Sequence, residues 1–391
     1  MRRIYLVRHG KPDFPDDGRW CLGRTDTALG TLGKLQAVML GKEAEGWNIE
    51  KIFCSPLSRA RQTAEPVLVS LRGAAGFGIT VLEDLTELDA GIWDGHSFEE
   101  IRARWPELYE KRVDPTVLIP GQEPYEDAQK RFLRGLYAAV DNSTGNIAIV
   151  AHTTVFCLAL CALTGRPWHE LRSFSLPYGS YTVLEQEEPG APLTVRPEDI
   201  GLLPHPALDG DLCMRLLFTS DLTTDAIVRH CKAVRDEAMR VAGAVNAALS
   251  AKSSGSGGSA IRGMLDLRLV ESGALLHDVA RLGSSHEALG AKLMEELGYP
   301  EVASVIRQHK EPDSTEVNEA GIVCMADKCR KGELPVSVEQ RFYLKMFCNE
   351  DPAAEEAAKR RYALACELRQ NINGLCGSEL VKIGSFSDGP A

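Results

Sequence analysis

Residues 1–12 read MRRIYLVRHGKP and place a short apolar stretch directly before a charged turn. Residues 4–7 predict a buried strand, and Arg8 and His9 follow at its end with Gly10 behind them. A buried strand that ends on a cation and an imidazole, with a glycine that lets the chain turn, indicates a binding site. The rest of the chain must supply the sheet and the partner residues of that site.

The first half of the chain alternates short apolar stretches with amphipathic ones. This alternation predicts a three-layer α/β fold, in which helices cover both faces of a parallel sheet. Ligands of such sheets bind beyond the carboxyl ends of the strands, which is where Arg8 and His9 lie. The predicted strands are 4–7, 51–55, 146–152 and 181–186, and the predicted helices are 29–45, 58–72, 98–112, 126–140 and one directly after 152.

After about residue 186 the pattern changes. The next segment is rich in Pro, Gly and Asp without a clear period and predicts a linker. From Cys213 onward only helical patterns occur, with a flexible loop at 251–261 (AKSSGSGGSAI) and a final long helix around 337–371. The predicted organisation is an α/β domain over 1–186, a linker over 187–212 and an all-α domain over 213–391 with its core at 213–335.

The composition is that of a globular protein. The chain has 391 residues, enough for two domains, of which 44% are hydrophobic and 25% charged. A net charge of −11 disfavours nucleic-acid binding but allows a small anionic substrate in a pocket of arginines. The 11 cysteines include no CxxC pair, which is typical of reduced thiols. No signal peptide or membrane-spanning stretch is evident, so we expect a cytoplasmic protein with no membrane partner.

Three predicted strands end on residues that suit a phosphoryl group. Arg8 and His9 follow the first strand, Arg59 follows the second, and His152 ends the third. Guanidinium groups match phosphate oxygens, and a neutral imidazole can attack phosphorus and carry it as phosphohistidine. Glu87, in a loop with glycines nearby, is the candidate proton donor for the leaving alcohol. We expect the neighbouring cations to keep His9 unprotonated.

Five motifs occur in order across this half of the chain: RHG (8–10), CLGRTDTALGTLGKLQA (21–37), SPLSRARQTA (55–64), TELDAGIWDG (86–95) and IVAH (149–152). As a set, they closely resemble the histidine phosphatase superfamily, with its phosphoglycerate-mutase-like fold, over about residues 1–186. The resemblance implies a small phosphorylated metabolite as substrate and no metal or other cofactor in this domain. It also implies the site residues: His9 as nucleophile, Glu87 as proton donor, and Arg8, Arg59 and His152 as the phosphate cradle.

Two positions depart from the family pattern. Thr153 follows His152 where the family usually has glycine, and an asparagine common soon after RHG is missing from KPDFPDDGRW (11–20). Both departures bear on the choice of substrate more than on the chemistry. The domain lacks the insertions of the glycolytic mutases, which favours a phosphatase, and its CLGRTD segment is most similar to the α-ribazole-5′-phosphate phosphatases of cobalamin synthesis.

The second half contains an adjacent pair, His277 and Asp278, in the apolar stretch LLHDVARL (275–282), which predicts a helix. Burying such a pair is unfavourable unless a bound cation compensates the charge. Imidazole with carboxylate suits Mn²⁺, Fe or Zn²⁺. The partner ligands would be His230, on the preceding long helix, and Asp327, on a later one.

The order H…HD…D resembles the HD-domain metal-dependent phosphohydrolases over about residues 213–335. The resemblance implies a divalent metal (Mn, Fe, Zn or Mg) and a nucleotide or related phosphoester as substrate. His286 and His309 occur where some members hold a second metal, in which case two ions about 3.5–4 Å apart would share a water. The sequence GYP (298–300) lacks the context of the cyclic-di-GMP-cleaving subgroup, so we treat it as coincidence.

The sequence therefore predicts a bifunctional phosphohydrolase. One alternative is a phosphoglycerate-type mutase, which would need a bisphosphate primer. A second is a phosphatase regulated by a non-catalytic HD domain that senses a nucleotide or a metal. A third is a scaffold in which both sites are inactive. The oligomeric state does not follow from the sequence.

Overall fold

The computed structural model describes residues 1–16, 18–71, 78–114, 116–253, 263–348 and 350–386. The chain forms two compact units, Met1–Pro206 and Ala207–Ala391. The boundary between them in the sequence lies within the predicted linker. The domain limits at 186 and 213 stay a prediction. From residue 254 onward, the predicted flexible loop lies outside the described residues.

Over the residues that the structure describes, the first unit combines one large sheet with six α-helices. The strands are β1 (Arg2–Arg8), β2 (Trp20–Cys21), β3 (Ile49–Cys54), β4 (Ile79–Val81), β5 (His96–Ser97), β6 (Asn146–Ala151), β7 (Tyr181–Gln186) and β8 (Thr194–Val195). The helices are α1 (Thr31–Ala44), α2 (Ser58–Ser70), α3 (Phe98–Arg104), α4 (Pro106–Glu110), α5 (Tyr125–Asp141) and α6 (Thr153–Leu163).

The large sheet has the order β4-β3-β6-β1-β7-β8, and β2 pairs separately with β5. Strands β4, β3, β6 and β1 run parallel, whereas β7 is antiparallel to β1 and β8 is antiparallel to β7. The predicted α/β class is confirmed, with an antiparallel edge that the sequence pattern did not reveal. Strand β8 lies inside the predicted linker and is part of the first unit's sheet.

Side chains of β1 alternate between the two faces of the sheet, because successive residues of a strand point in opposite directions. Ile4 and Leu6 are fully buried in a cluster that includes Phe132 of α5. Tyr5 and Val7 are buried in the opposite cluster with residues of α1 and α2. Helices therefore cover both faces, which gives the three layers and leaves the strand ends free to carry a site.

In its described residues, the second unit has helices and only two short strands, β9 (Arg330–Lys331) and β10 (Leu334–Pro335). Its core joins Val241, Val270, Val323, Phe342 and Leu368, all at most 2% exposed. The all-α class is confirmed. The helices are α7 (Gly210–Thr219), α8 (Asp225–Ser253), α9 (Leu267–Leu276), α10 (His286–Glu296), α11 (Pro300–Gln308), α12 (Glu319–Lys328), α13 (Val338–Phe347) and α14 (Pro352–Cys376).

Prolines interrupt two of the predicted helices. The helix predicted at 98–112 breaks at Trp105, and α4 begins at Pro106. The final long helix predicted around 337–371 is wrong: α13 ends at Phe347, and α14 begins at Pro352. Proline disfavours helical geometry in the residue before it but is well placed in a first helical turn. In the described part of the chain, no helix has the length and apolar character needed to cross a membrane.

Candidate active site and candidate metal centre

The first unit brings its predicted site residues to one edge of the sheet. Arg8 is the last residue of β1, and His9 follows it. His152 follows β6 and precedes α6, and Arg59 is the second residue of α2, just beyond β3. Strands β3, β6 and β1 are neighbours and parallel, so their carboxyl ends meet at the same edge.

His9 is 4% exposed, and its two ring nitrogens have different partners. Nδ1 lies 2.7 Å from the carbonyl oxygen of Gly10 and donates to it, which leaves the lone pair on Nε2. Arg59 Nε donates to that lone pair at 3.3 Å. Burial, together with the charges of Arg59 and Arg8, holds the pKa of His9 well below its usual range. The imidazole is therefore neutral near pH 7, with Nε2 able to act as a nucleophile.

The two arginines contact His9 and its surroundings in different ways. Arg59 is fully buried, and its terminal nitrogens donate to the carbonyl oxygens of Thr25 at 2.8 Å and Gly23 at 2.6 Å. Arg8 lies 3.8 Å over the ring of Tyr178 and donates to the carbonyl of Leu176. Arg8 Nε is buried with no hydrogen-bond partner in the described structure. Arg8 thus keeps a donor available for an anion.

His152 is fully buried beside His9, with ring centroids 5.0 Å apart. Its Nε2 lies 2.8 Å from Ser55 Oγ, and its Nδ1 has no partner among the described atoms. Burial and the neighbouring His9 and Arg59 hold the pKa of His152 well below its usual range. A buried nitrogen without a partner is unfavourable in a folded protein and indicates a bound group.

Glu87 is 3% exposed and faces the beginning of α6. Its Oε1 accepts from the backbone N–H groups of Leu88 at 2.8 Å and Val155 at 3.3 Å. Its Oε2 accepts from Thr154 N–H at 3.1 Å. Burial nevertheless raises the pKa of Glu87, because it disfavours the charged form more than these hydrogen bonds stabilise it. A carboxyl group of raised pKa is suited to donate a proton.

A cavity of about 320 Å³ opens onto this edge of the sheet. Arg8, His9 and Glu87 line it, whereas Arg59 and His152, which are buried beside His9, are not among its lining residues. Thr153, at the position where the family usually has glycine, also lines the cavity. It begins α6 without a left-handed backbone, so a residue other than glycine fits there.

Other residues that support the site were not predicted. Arg131 of α5 donates from Nη1 to the carbonyl oxygens of Asp84 at 2.9 Å and Thr86 at 2.8 Å. Its Nη2 pairs with Glu123 at 2.8 Å and approaches the Glu87 carbonyl at 3.4 Å. Arg131 thus holds the segment that carries Glu87. Its bonds to that segment end on main-chain oxygens, so no side-chain pattern in the sequence could have indicated them.

In the second unit, α9 ends at Leu276, and His277 and Asp278 directly follow it. The prediction that both residues lie within a helix is therefore wrong. Asp278 is the centre of two potential metal-binding groups, each with its ligand atoms within 4.8 Å of one another. One group adds His230 and His277, and the other adds His286 and His309. Asp327 accompanies the first group, since its Oδ1 lies 3.2 Å from His230 Nε2 and 4.0 Å from His277 Nε2. All six predicted ligands therefore meet.

The donor atoms of this cluster fit a divalent cation. Nδ1 of His230, His277 and His309 lies 2.7–2.9 Å from a backbone carbonyl oxygen in each case, which directs Nε2 towards the cluster. His277 Nε2 and Asp278 Oδ1 are buried without a hydrogen-bond partner in the described structure. Burial and the nearby His277 lower the pKa of His309 to about 4, so this imidazole is neutral and able to ligate.

The two predicted families are found at the predicted places. The histidine phosphatase superfamily (branch 1) matches residues 4–197, and the HD domain family matches residues 227–332.

Individual proteins match about half of the chain. Phosphoserine phosphatase 1 of Hydrogenobacter thermophilus is 29% identical over 48% of this chain and 88% of its own length. The uncharacterized phosphatase PhoE of Bacillus subtilis is 30% identical over 42% of this chain and 79% of its own length. The solved structure of the α-ribazole phosphatase from Shigella flexneri is 24% identical and covers 52% of this chain and 98% of its own, with a TM-score of 0.45. The chain therefore belongs to the histidine phosphatase superfamily, a family of phosphoric monoester hydrolases, and carries an HD domain in its second unit.

Proposed function

We propose that the chain is a bifunctional phosphohydrolase whose first unit removes phosphate from a small phosphorylated metabolite through a phosphohistidine on His9. The observation that carries this proposal is the neutral imidazole of His9, held with Nε2 unprotonated at the end of a cavity that Arg8 and Glu87 also line. That geometry is what in-line attack on a phosphate monoester requires.

In the first step, His9 Nε2 forms a bond to phosphorus while the bond from phosphorus to the ester oxygen breaks. The Arg59 hydrogen bond to Nε2 is long, at 3.3 Å, and must open as the attack proceeds. Arg59 Nε is then free to donate to a phosphoryl oxygen, beside Arg8 Nε and His152 Nδ1, which have no other partner. These donors would stabilise the charge of the transferring group.

Glu87 supplies the proton that the leaving alkoxide takes up. It enters this step as the carboxylic acid that burial favours and leaves it as the carboxylate. In the second step, the carboxylate accepts a proton from water, whose oxygen attacks phosphorus and releases His9 and inorganic phosphate. The cycle balances without a metal or other cofactor.

Loss of the nucleophile tests the first unit. We expect His9→Ala to abolish phosphate release from p-nitrophenyl phosphate, and we expect the wild type to retain that activity in a chelator. Quenching in alkaline detergent after mixing with ³²P-labelled substrate should trap a base-stable, acid-labile label on wild-type protein and none on the variant. A label on the variant, or a chelator-sensitive activity that depends on His9, would contradict the assignment. Isomer transfer in place of phosphate release would favour the mutase.

For the second unit we propose a metal-dependent phosphohydrolase acting on a nucleotide or related phosphoester. His230, His277, Asp278 and Asp327 would hold one divalent cation, and His286 and His309 would complete a second site that shares Asp278. Bound Mn²⁺, Fe or Zn²⁺ would supply Lewis-acid activation of the phosphoester and of water. The buried His277 nitrogen and Asp278 oxygen without partners support this reading.

Metal analysis tests the second unit. We expect Asp278→Ala to strip bound metal, measured by elemental analysis of the full chain, because Asp278 belongs to both groups of ligands. Asp236→Ala, on the exposed side of α8, is the matched control and should keep the wild-type metal content. A full complement of metal on Asp278→Ala would contradict the site. A wild type that lacks metal but binds a nucleotide tightly would favour the sensor.

A further inference from the structure

The second unit has a cavity of about 310 Å³ beside the candidate metal centre. One wall consists of ligand residues, among them His230, Asp278 and His309. A second wall, the α13–α14 wall, comes from α13 and α14, which follow the HD match at residues 227–332 in the sequence. Because that wall lies outside the residues that match the HD domain family, the match does not indicate which ligand the wall binds.

The side chains on the α13–α14 wall are cationic. Arg341 and Lys345 of α13 and Arg361 of α14 line the cavity, together with the ring of Phe342. No acidic residue of α13 or α14 is among the residues that line it. Three positive charges thus face a cavity whose acidic lining residues in the described structure are Asp278 and Asp327, both of the candidate metal centre.

Most of this charge has no compensating partner. Within the described residues, Lys345 and Arg361 have no carboxylate within 4 Å, and the only polar contact of Arg361 is from Nε to the carbonyl of Ala357 at 3.1 Å. Arg341 approaches Asp327 at 3.6 Å, but its Nε is buried without a partner. Partial burial and the nearby Arg341 and Lys328 lower the pKa of Lys345 to about 8.

Cations from the HD-matched region extend the same surface. Lys328 pairs with Asp327 at 2.9 Å and donates to the His309 carbonyl at 3.0 Å, so it serves the ligand cluster. Lys310 pairs with Glu287 at 2.7 Å. Arg281 approaches Asp278 at 3.7 Å and His286 Nε2 at 2.8 Å. Of the cations that line the cavity in the described structure, Lys345 and Arg361 of the α13–α14 wall are therefore the two without a carboxylate partner.

We propose that Arg341, Lys345 and Arg361 form a second anion subsite, so that the substrate of the second unit carries at least two phosphoryl groups. This inference rests on the proposed phosphohydrolase function of that unit. One phosphoryl group lies at the cluster around Asp278, and the other lies on the α13–α14 wall. The Lys345 ammonium and the Arg361 guanidinium, which have no carboxylate partner among the described residues, are suited to phosphate oxygens, and Arg341 lies between them and the cluster, 3.6 Å from Asp327.

Binding of a non-hydrolysable probe tests the subsite. Methylenebisphosphonate presents two phosphonates that no hydrolase can separate, and methylphosphonate presents one. Isothermal titration on the full chain with its native metal content gives both dissociation constants. Any binding of the probes at the cavity of the first unit should be the same in all the variants, because they differ only in the second unit. Differences between the variants therefore report on the second unit. For wild type, we expect the bisphosphonate to bind at least about tenfold more tightly than methylphosphonate.

The double variant Lys345→Ala/Arg361→Ala should lose that tenfold preference, as expected when charge-assisted hydrogen bonds are removed. Its affinity for methylphosphonate should not change. The matched control is Lys359→Ala/Arg360→Ala, which removes two positive charges from α14 outside the cavity and should keep the preference. The charge-retaining variant Lys345→Arg/Arg361→Lys should keep it as well and guards against a general loss of structure.

Retention of the preference by Lys345→Ala/Arg361→Ala, or an equal loss in the control, would overturn the subsite. Its failure is separable from failure of the proposed function, because metal content and the effect of Asp278→Ala are measured independently. If metal is bound as proposed and the bisphosphonate preference does not depend on the α13–α14 wall, only the subsite is refuted.

Discussion

Replacing Glu87 by Gln isolates the proton that the proposed mechanism assigns to this residue. The carboxyl accepts two N–H groups on Oε1 and one on Oε2, which leaves a lone pair of Oε2 for the proton. Glutamine can place its oxygen where Oε1 lies, but its NH₂ then faces Thr154 N–H. One hydrogen bond is lost and two donors oppose each other, which should cost about 1–3 kcal/mol of stability. The fold should survive this loss.

The catalytic effect of Glu87→Gln should depend on the leaving group. For an alkyl phosphate, whose alkoxide must be protonated as it leaves, we expect kcat to fall by about 10²–10⁴, or about 3–5 kcal/mol of barrier. For p-nitrophenyl phosphate, whose leaving group is stable as an anion, formation of the phosphohistidine should slow by less than about tenfold. Rapid-quench measurement of the first turnover on both substrates gives the two ratios.

An equal loss on both substrates would refute the proposed role of Glu87 as proton donor. Such a result would mean that the side chain acts on the phosphoryl group or on His9 and not on the leaving oxygen. Glu87→Asp shortens the side chain but keeps the acid, so it should restore part of the alkyl phosphatase activity and is the natural companion variant.

Two further predictions concern the structure around His9. In the folded protein, His152 is neutral because its pKa is lowered, whereas the unfolded imidazole takes up a proton below about pH 6.5. The free energy of unfolding should therefore decrease as the pH falls below about 6.5, by up to about 1.4 kcal/mol per pH unit for this residue. Urea unfolding of the first unit at pH 6.5 and 5.5 should show a smaller pH dependence for His152→Asn than for wild type, and equal dependences would contradict the assignment. Arg131→Leu should lower kcat about tenfold or more with little change in KM, because it releases the main chain that carries Glu87 without touching the substrate. The control is Arg134→Leu on the same helix, whose exposed side chain pairs with the Asp84 carboxylate, and a similar loss in both variants would show that Arg131 does not position the acid.

Much of the first site was predictable because it follows a rule about chain direction. Parallel strands end at the same edge of a sheet, so polar residues after separate strands, such as Arg8 and His152, could be placed together from sequence alone. The strand pattern did not reveal the antiparallel edge formed by β7 and β8, because an apolar stretch has the same pattern in either direction. Arg131 was missed since it contacts carbonyl oxygens, which every residue carries.

The second site was predicted less completely for a different reason. The ligands of the cluster occur in a recognisable order, and all six meet as expected. The cations Arg341, Lys345 and Arg361 occur in no such order, and on a helix a lysine or arginine is most often a solvated side chain. These three side chains line one cavity because of how α13 and α14 pack. The break between the two helices was itself not predicted.

The position of β1 between β6 and β7 has a consequence for how the enzyme folds. Ile4 lies opposite Ile147 on one side and Leu184 on the other, so the strand that precedes His9 is synthesised well before both of its partner strands. Contacts between residues this far apart close long loops and slow folding. On the ribosome, the nucleophile can reach its working position only after the chain has emerged beyond β7. Until then, at least one edge of β1 lacks its partner strand, and such an unpaired edge favours aggregation.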